Sequence, residues 1–110
     1  MICDFGDVAV VPFPFVDIAA EKRRPSLILS HEAFNKAHRH SICAMITTAV
    51  GSKWPSDVAI ADLMSAGLHH PCVVRWKLFT LPNDIILRRA GKLAPRDLSL
   101  VVSVARTVLA

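Results

Sequence analysis

Lys22, Arg23, Arg24 and Pro25 follow one another in the densest run of fixed positive charge in the chain. Guanidinium and ammonium groups crowded onto one turn favour a phosphate, and arginine adds a planar fork of donors that matches phosphate oxygens. Pro25 biases Arg24 toward extended backbone and stiffens the join to the next strand, so Arg24 reads as a positioned cation. A second pair of interest is Lys53-Trp54. An indole beside a cation can stack a base while the cation tracks the phosphates, or the indole can simply cover the open end of a small sheet. The histidines fall as His38-x-His40 and His69-His70, with Cys72 nearby. A zinc site needs three or four convergent ligands. No ligand spacing recurs here, so neither a metal nor another cofactor is expected.

Two apolar, β-rich runs must hold the basic turn. Asp7 to Val11 is Val-rich, and Pro12 and Pro14, which cannot donate to a ladder, end it as an edge or a bend. Asp17 to Arg24 is polar and reads as a loop, and Pro25 to Leu29 as a second strand. Ser30 can cap a short helix from His31 to Ala37 with Glu32 in its first turn. Ser41 to Thr47 is a third strand with Ile42, Ala44 and Ile46 on one face. Ala49 to Ser56 reads as a loop and Asp57 to Ala61 as a short strand. Leu63 to Leu68 is a helical turn closed by Gly67. Cys72 to Leu78 and Ile85 to Arg89 are further strands, separated by a turn around Pro82-Asn83. Pro95 and Asp97 suit the start of a final helix. Its apolar stripe is Leu98, Val101, Val102, Ala105, Val108 and Leu109, with Leu100 and Val104 off it, free to extend the core or to face a partner subunit. Short strands and tight turns predict a small, strongly bent antiparallel sheet or barrel with the last helix packed outside.

With 110 residues the chain is expected to be a single domain spanning 1–110. Hydrophobic residues make up 53%, a heavy load for so short a chain, and a symmetric dimer is the commonest way to cover the excess. No apolar run reaches the roughly 18 residues of a membrane span. The start, Met1-Ile2-Cys3-Asp4, has no basic region leading into an apolar stretch, so no signal peptide is expected. The net charge of +4 suits a nucleic acid or an acidic protein partner. Cys3, Cys43 and Cys72 are odd in number and widely spaced, which points to reduced, partly buried thiols in a cytoplasmic setting.

Several segments in order carry a family likeness. They are Gly6-Asp7 followed by Val11-Pro12-Phe13-Pro14-Phe15, then Lys22-Arg23-Arg24-Pro25 with Leu27, Leu29 and Ser30. Met45-Ile46-Thr47, Gly67-Leu68, Pro71, Val73-Val74-Arg75, Leu78-Phe79-Thr80 and Gly91-Lys92-Leu93 come later in the chain. Together they resemble the MazF/PemK (Kid) toxins of type II toxin–antitoxin pairs, across nearly the whole chain. The resemblance implies a mainly β fold with α, a small SH3-like antiparallel β-barrel with a C-terminal helix, acting as a homodimer. It implies a metal-independent endoribonuclease that cuts single-stranded RNA at short sequences to inhibit growth. It also implies an antitoxin partner whose acidic, flexible segment covers the site.

On that resemblance Arg24 is the Arg of the family's Arg-Pro motif. A fixed guanidinium there can stabilise the charge that builds when a 2′-hydroxyl attacks the neighbouring phosphorus. Thr47 matches a strand-end Thr or Ser that can donate to a phosphate oxygen, with Thr48 its neighbour. Arg75 stands where some members place a catalytic Arg. Lys22, Arg23, Lys53, Trp54 and Lys77 complete the expected RNA-binding set. Two positions depart from the pattern. Lys77 replaces an acidic residue that some members carry, and the loop from Asp17 to Lys22 has no His. No general base is therefore evident, since arginine keeps its proton; His31, His38 and His40 qualify by chemistry alone. Two alternatives stay open: a growth inhibitor or binding module of the same barrel that cuts nothing, for example one that targets gyrase, and a structural or decayed domain.

Overall fold

The computed structural model describes residues 1–12 and 23–110. Among them, six strands form one antiparallel sheet: β1 (Asp7–Pro12), β2 (Arg23–Ile28), β3 (His40–Thr48), β4 (Val58–Ala59), β5 (Cys72–Pro82) and β6 (Arg88–Lys92). Their spatial order is β4-β5-β3-β2-β1-β6. The sheet curls into a half-barrel, with helices α1 (Glu32–His38), α2 (Leu63–Ala66) and α3 (Pro95–Val108) around it. This is the bent antiparallel sheet with a terminal helix that the sequence predicts.

Both faces of the sheet are buried, and strand alternation sorts the side chains between them. Val8, Leu27, Ala44, Ile46, Val74 and Trp76 form one cluster, on which Leu98, Val101, Val104 and Ala105 of α3 pack. Ala9, Val11, Ile28, Cys43, Phe79, Leu81 and Ile86 form the other, with Met45 against it. Adjacent residues Cys43 and Ala44 serve opposite clusters by that alternation, and the β3–β5 register steps from Ala44↔Leu78 to Met45↔Arg75. Trp76 and Lys77 thus form a bulge in β5.

Several boundaries differ from the sequence reading. Arg23 and Arg24 lie in β2 rather than in a loop, because β1 pairs with them through Pro12 and Val11. Helix α1 is capped from outside: the Asp4 carboxylate accepts from the Glu32 N–H at 2.9 Å, while Ser30 Oγ accepts from the Ile42 N–H at 2.8 Å. β4 shrinks to two residues, whereas β5 runs on to Pro82 because β3 pairs along its length. The segment around Ile85 is a 3₁₀ turn, Asn83–Ile85, and β6 starts only at Arg88. In α3, Val104 joins the core while Val108 and Leu109 are exposed. No described helix is long and apolar enough to cross a membrane.

Candidate nucleic-acid interface

The β2–β3 ladder runs from Ile28↔Cys43 to Ser26↔Met45 and stops there. The next residue on β2 is Pro25, which has no N–H to donate. β3 nevertheless continues to Thr48, held by β5, and β2 continues to Arg23, held by β1. The two strands part, and a cleft of about 510 Å³ opens between them. Arg23, Arg24 and Pro25 line it from β2, Ile46, Thr47 and Thr48 from β3, and Leu87, Arg88 and Ala90 from β6 and its approach. Gly67, Leu68, His69 and His70 close it from the segment after α2.

Cross-strand pairs share a face, so Arg24, opposite Val11, lies on the face of the second cluster. Met45 packs on that cluster and pairs with both Ser26 and Arg75. Thr47, two residues along β3, shares the face. Arg24, Thr47 and Arg75 are therefore on one face within two rows of the sheet. Arg24 is half-buried with its Nε shielded from solvent, and Arg23 is exposed.

Arg75 does not line the cleft. Its guanidinium grips the Asp57 carboxylate with two bonds, Nε to Oδ1 at 3.1 Å and Nη2 to Oδ2 at 2.9 Å. Nη2 also donates to the Ser52 carbonyl at 2.7 Å. The pair is nearly closed to solvent, the side chains being 11% and 12% exposed. The Arg75 bonds hold the Asp57 carboxyl below its usual range, and Asp57 in turn raises Arg75. The Trp54 ring covers the guanidinium at 5.5 Å and stays 41% exposed. Asp57 also closes the loop on itself, Oδ2 accepting from the Trp54 N–H at 3.0 Å. Trp54 thus covers Arg75 with part of its ring. Lys53 and Lys77 are exposed and lie outside the cleft lining. Lys22 falls outside the described residues, as does the loop from Asp17 to Lys22.

The histidines divide sharply. His31 stands 4.0 Å from the Asp4 carboxylate and against Phe5. His38 packs against Phe34 with the rings tilted, and His40 Nδ1 meets the His38 carbonyl at 2.8 Å. None of these three lines the cleft, whereas His69 and His70 do. The Asp97 carboxylate fixes the chain ahead of α2 by accepting the Ala61 and Asp62 N–H groups at 3.0 and 2.9 Å. Asp62 then caps α2 through Ser65. At the other end Gly67 closes α2 in the left-handed region, at φ 72°. Sequence reasoning missed His69, His70 and Arg88 because only the tertiary fold brings these stretches to β2. Among the described residues no group of three or more His, Cys, Asp or Glu side chains converges on a metal-sized site.

The cleft lining carries Arg23, Arg24 and Arg88 and, among the described residues, no carboxylate. With two threonine hydroxyls and an apolar floor, this arrangement suits a phosphodiester bound at its phosphate. The thiol of Cys72 at its edge is pushed up by burial.

A family model described as "PemK-like, MazF-like toxin of type II toxin-antitoxin system" matches residues 4–109. No curated protein matches the chain. Among solved structures, a mycobacterial endoribonuclease in complex with its cognate antitoxin is similar at 21% identity and a TM-score of 0.78, covering 97% of this chain and 94% of that one. MazF of Deinococcus radiodurans is similar at 20% identity and a TM-score of 0.75, covering 99% and 97%. A MazE–MazF complex from the same organism gives 16% identity and a TM-score of 0.74, covering 99% and 96%. At these identities the likeness is one of fold.

Proposed function

Since the chain belongs to the PemK-like, MazF-like toxins of type II toxin–antitoxin systems, we propose that its cleft cuts single-stranded RNA. The observation that carries this reading is the gathering of Arg23, Arg24 and Arg88 with Thr47 in one cleft whose described lining has no acid. RNA brings its own nucleophile, the 2′-hydroxyl. The protein must then stabilise charge on the phosphorane and move protons, and no metal is required for either. Arg24, half-buried and stiffened by Pro25, is the residue assigned to the phosphorane. Thr47 donates to a phosphate oxygen. Arg23 and Arg88, with Lys22, track the flanking backbone.

Arg75 serves this reading differently from the role the family likeness implies. Its donors are committed to Asp57 and Ser52, so it acts as a positioning residue for the Trp54 loop. Trp54, with one face on Arg75, offers the rest of its ring to a base, and Lys53 and Lys77 add charge beside it. The antitoxin is a protein with an acidic, flexible segment that fills the same basic cleft. The functional unit is a homodimer in the cytoplasm.

The test is cleavage of a long single-stranded RNA in EDTA by the protein and by Arg24→Ala. The expected result is cuts at restricted sequences that leave 2′,3′-cyclic phosphate ends. The variant should lose about 10²–10³ in rate, by analogy with removal of an oxyanion-hole donor. A folded wild-type protein that cuts no RNA, yet arrests growth, would turn the reading toward a binding inhibitor.

A further inference from the structure

Resting on the reading of the cleft as a ribonuclease site, we infer that His69 and His70 carry the proton transfers of the cleavage. The reaction moves two protons. The 2′-oxygen sheds one as it bonds to phosphorus, and the 5′-oxygen takes one as its bond to phosphorus breaks. Arg23 and Arg24 from β2 and Arg88 from β6 share the cleft lining with the two histidines, and a guanidinium is not a proton-exchanging group. The hydroxyls of Thr47 and Thr48 are far too weak as acids to act alone. The Cys72 thiol is driven toward its neutral form by burial. Among the described lining residues, two imidazoles remain, and imidazole is the side chain that exchanges a proton near neutrality.

Their placement is fixed at both ends. On one side Gly67 is packed so tightly on β6 that a Cβ there would meet the Ala90 carbonyl oxygen at 2.2 Å. On the other, Cys72 begins β5 and pairs with Thr48. His69 and His70 hang between these anchors, and both are exposed to an incoming strand. The step balances without a further reactant. A neutral imidazole takes the 2′-hydroxyl proton, and the oxygen's electron pair forms the O2′–P bond. The P–O5′ bond breaks, and its electron pair takes a proton from the second, protonated imidazole. The products are a 2′,3′-cyclic phosphate and a 5′-hydroxyl, and the two histidines return to their starting protonation states by exchange with water.

The experiment compares wild type, His69→Asn and His70→Asn in single-turnover cleavage of one RNA, in EDTA, from acid to alkaline pH. Affinity for the uncleavable 2′-deoxy form of the same strand is measured alongside. Wild type is expected to give a bell-shaped rate profile. Each variant is expected to lose about 10²–10⁴-fold in rate and one limb of the bell, the usual weight of general acid–base catalysis, with little change in affinity. The variant lacking the acid should recover on a substrate with sulfur at the bridging 5′ position, because a thiolate leaves without a proton. Wild-type cleavage with an unchanged profile in both variants overturns the inference and leaves the ribonuclease reading standing. Equal rate loss on oxygen and sulfur substrates by both variants, with both limbs intact, also overturns it, since a structural role would do the same. Failure of wild type to cleave removes the ribonuclease reading and this inference with it.

Discussion

Two glycines in left-handed backbone offer a controlled test of how the cleft wall is built. Gly67 (φ 72°) ends α2, and Gly51 (φ 91°) lies in the loop before Trp54. An alanine at either site bears the left-handed strain of an L residue, roughly 1–2 kcal/mol. Their surroundings differ completely. A Cβ at Gly51 meets nothing within 4 Å. A Cβ at Gly67 meets the Ala90 carbonyl oxygen at 2.2 Å and its carbon at 2.7 Å. Those atoms are backbone of β6, so the strand itself must shift, an overpacking cost of about 1–3 kcal/mol. Gly51→Ala should therefore cost roughly 1–2 kcal/mol, and Gly67→Ala about 2–5 kcal/mol in all. Urea unfolding followed by fluorescence is the assay, and the extra loss in Gly67→Ala should appear as a lower midpoint at unchanged slope. Because Gly67, Ala90 and Arg88 all line the cleft, the same variant should also cleave RNA more slowly than Gly51→Ala under conditions where both are folded. Equal costs for the two variants would refute the packing argument.

Further outcomes are expected of the site and the core. Asp57→Asn unlocks Arg75, so Trp54 fluorescence should shift toward that of a solvated indole. RNA affinity should fall by roughly 5- to 150-fold if one stacked base is lost; an unchanged emission spectrum would count against the latch. The folded Asp57 carboxyl lies below its usual 3.8 because Arg75 bonds to it. Its contribution is thus full above that value and drains away as pH falls through the folded one, and Asp57→Asn should flatten the acid limb of stability against pH. Cys43, whose thiol burial pushes up to about 12, should react with a disulfide reagent only as fast as the protein unfolds, and prompt labelling in the folded state would contradict its place in the core.

What the sequence revealed, and what it concealed, divides along physical lines. Local signals were legible: Gly67 as a helix terminator, Pro95 and Asp97 at the start of α3, and the Val-rich run of β1. Contacts set by tertiary pairing were not. Alternation on β3 put Ile42, Ala44 and Ile46 on one face, and Ala44 and Ile46 do share a cluster while Cys43 joins the other. What no local pattern announced is the bulge at Trp76-Lys77 in the neighbouring strand, which steps the β3–β5 register. Helical spacing left Val104 to extend the core or face a partner, and it packs on the core, whereas Val108 and Leu109 of the apolar stripe are exposed. Burial of a helix end depends on how far the sheet reaches beneath it.

Pro25 joins the legible part to the hidden part. From sequence it stiffens Arg24, a local effect on one residue. In the fold it stands where the β2–β3 ladder ends, and the gap beyond it is the cleft. One residue thus fixes the cation and marks the place where the strands separate to admit a ligand. His69 and His70 show the same division, since from sequence they can only be weighed as metal ligands and set aside for want of a recurring ligand spacing. Adjacent histidines suggest coordination only while their surroundings are unknown. Once the segment after α2, capped by Asp62 and closed by Gly67, carries them into the cleft wall, three guanidiniums share their surroundings, and that positive charge disfavours a cation and suits proton transfer beside a phosphate.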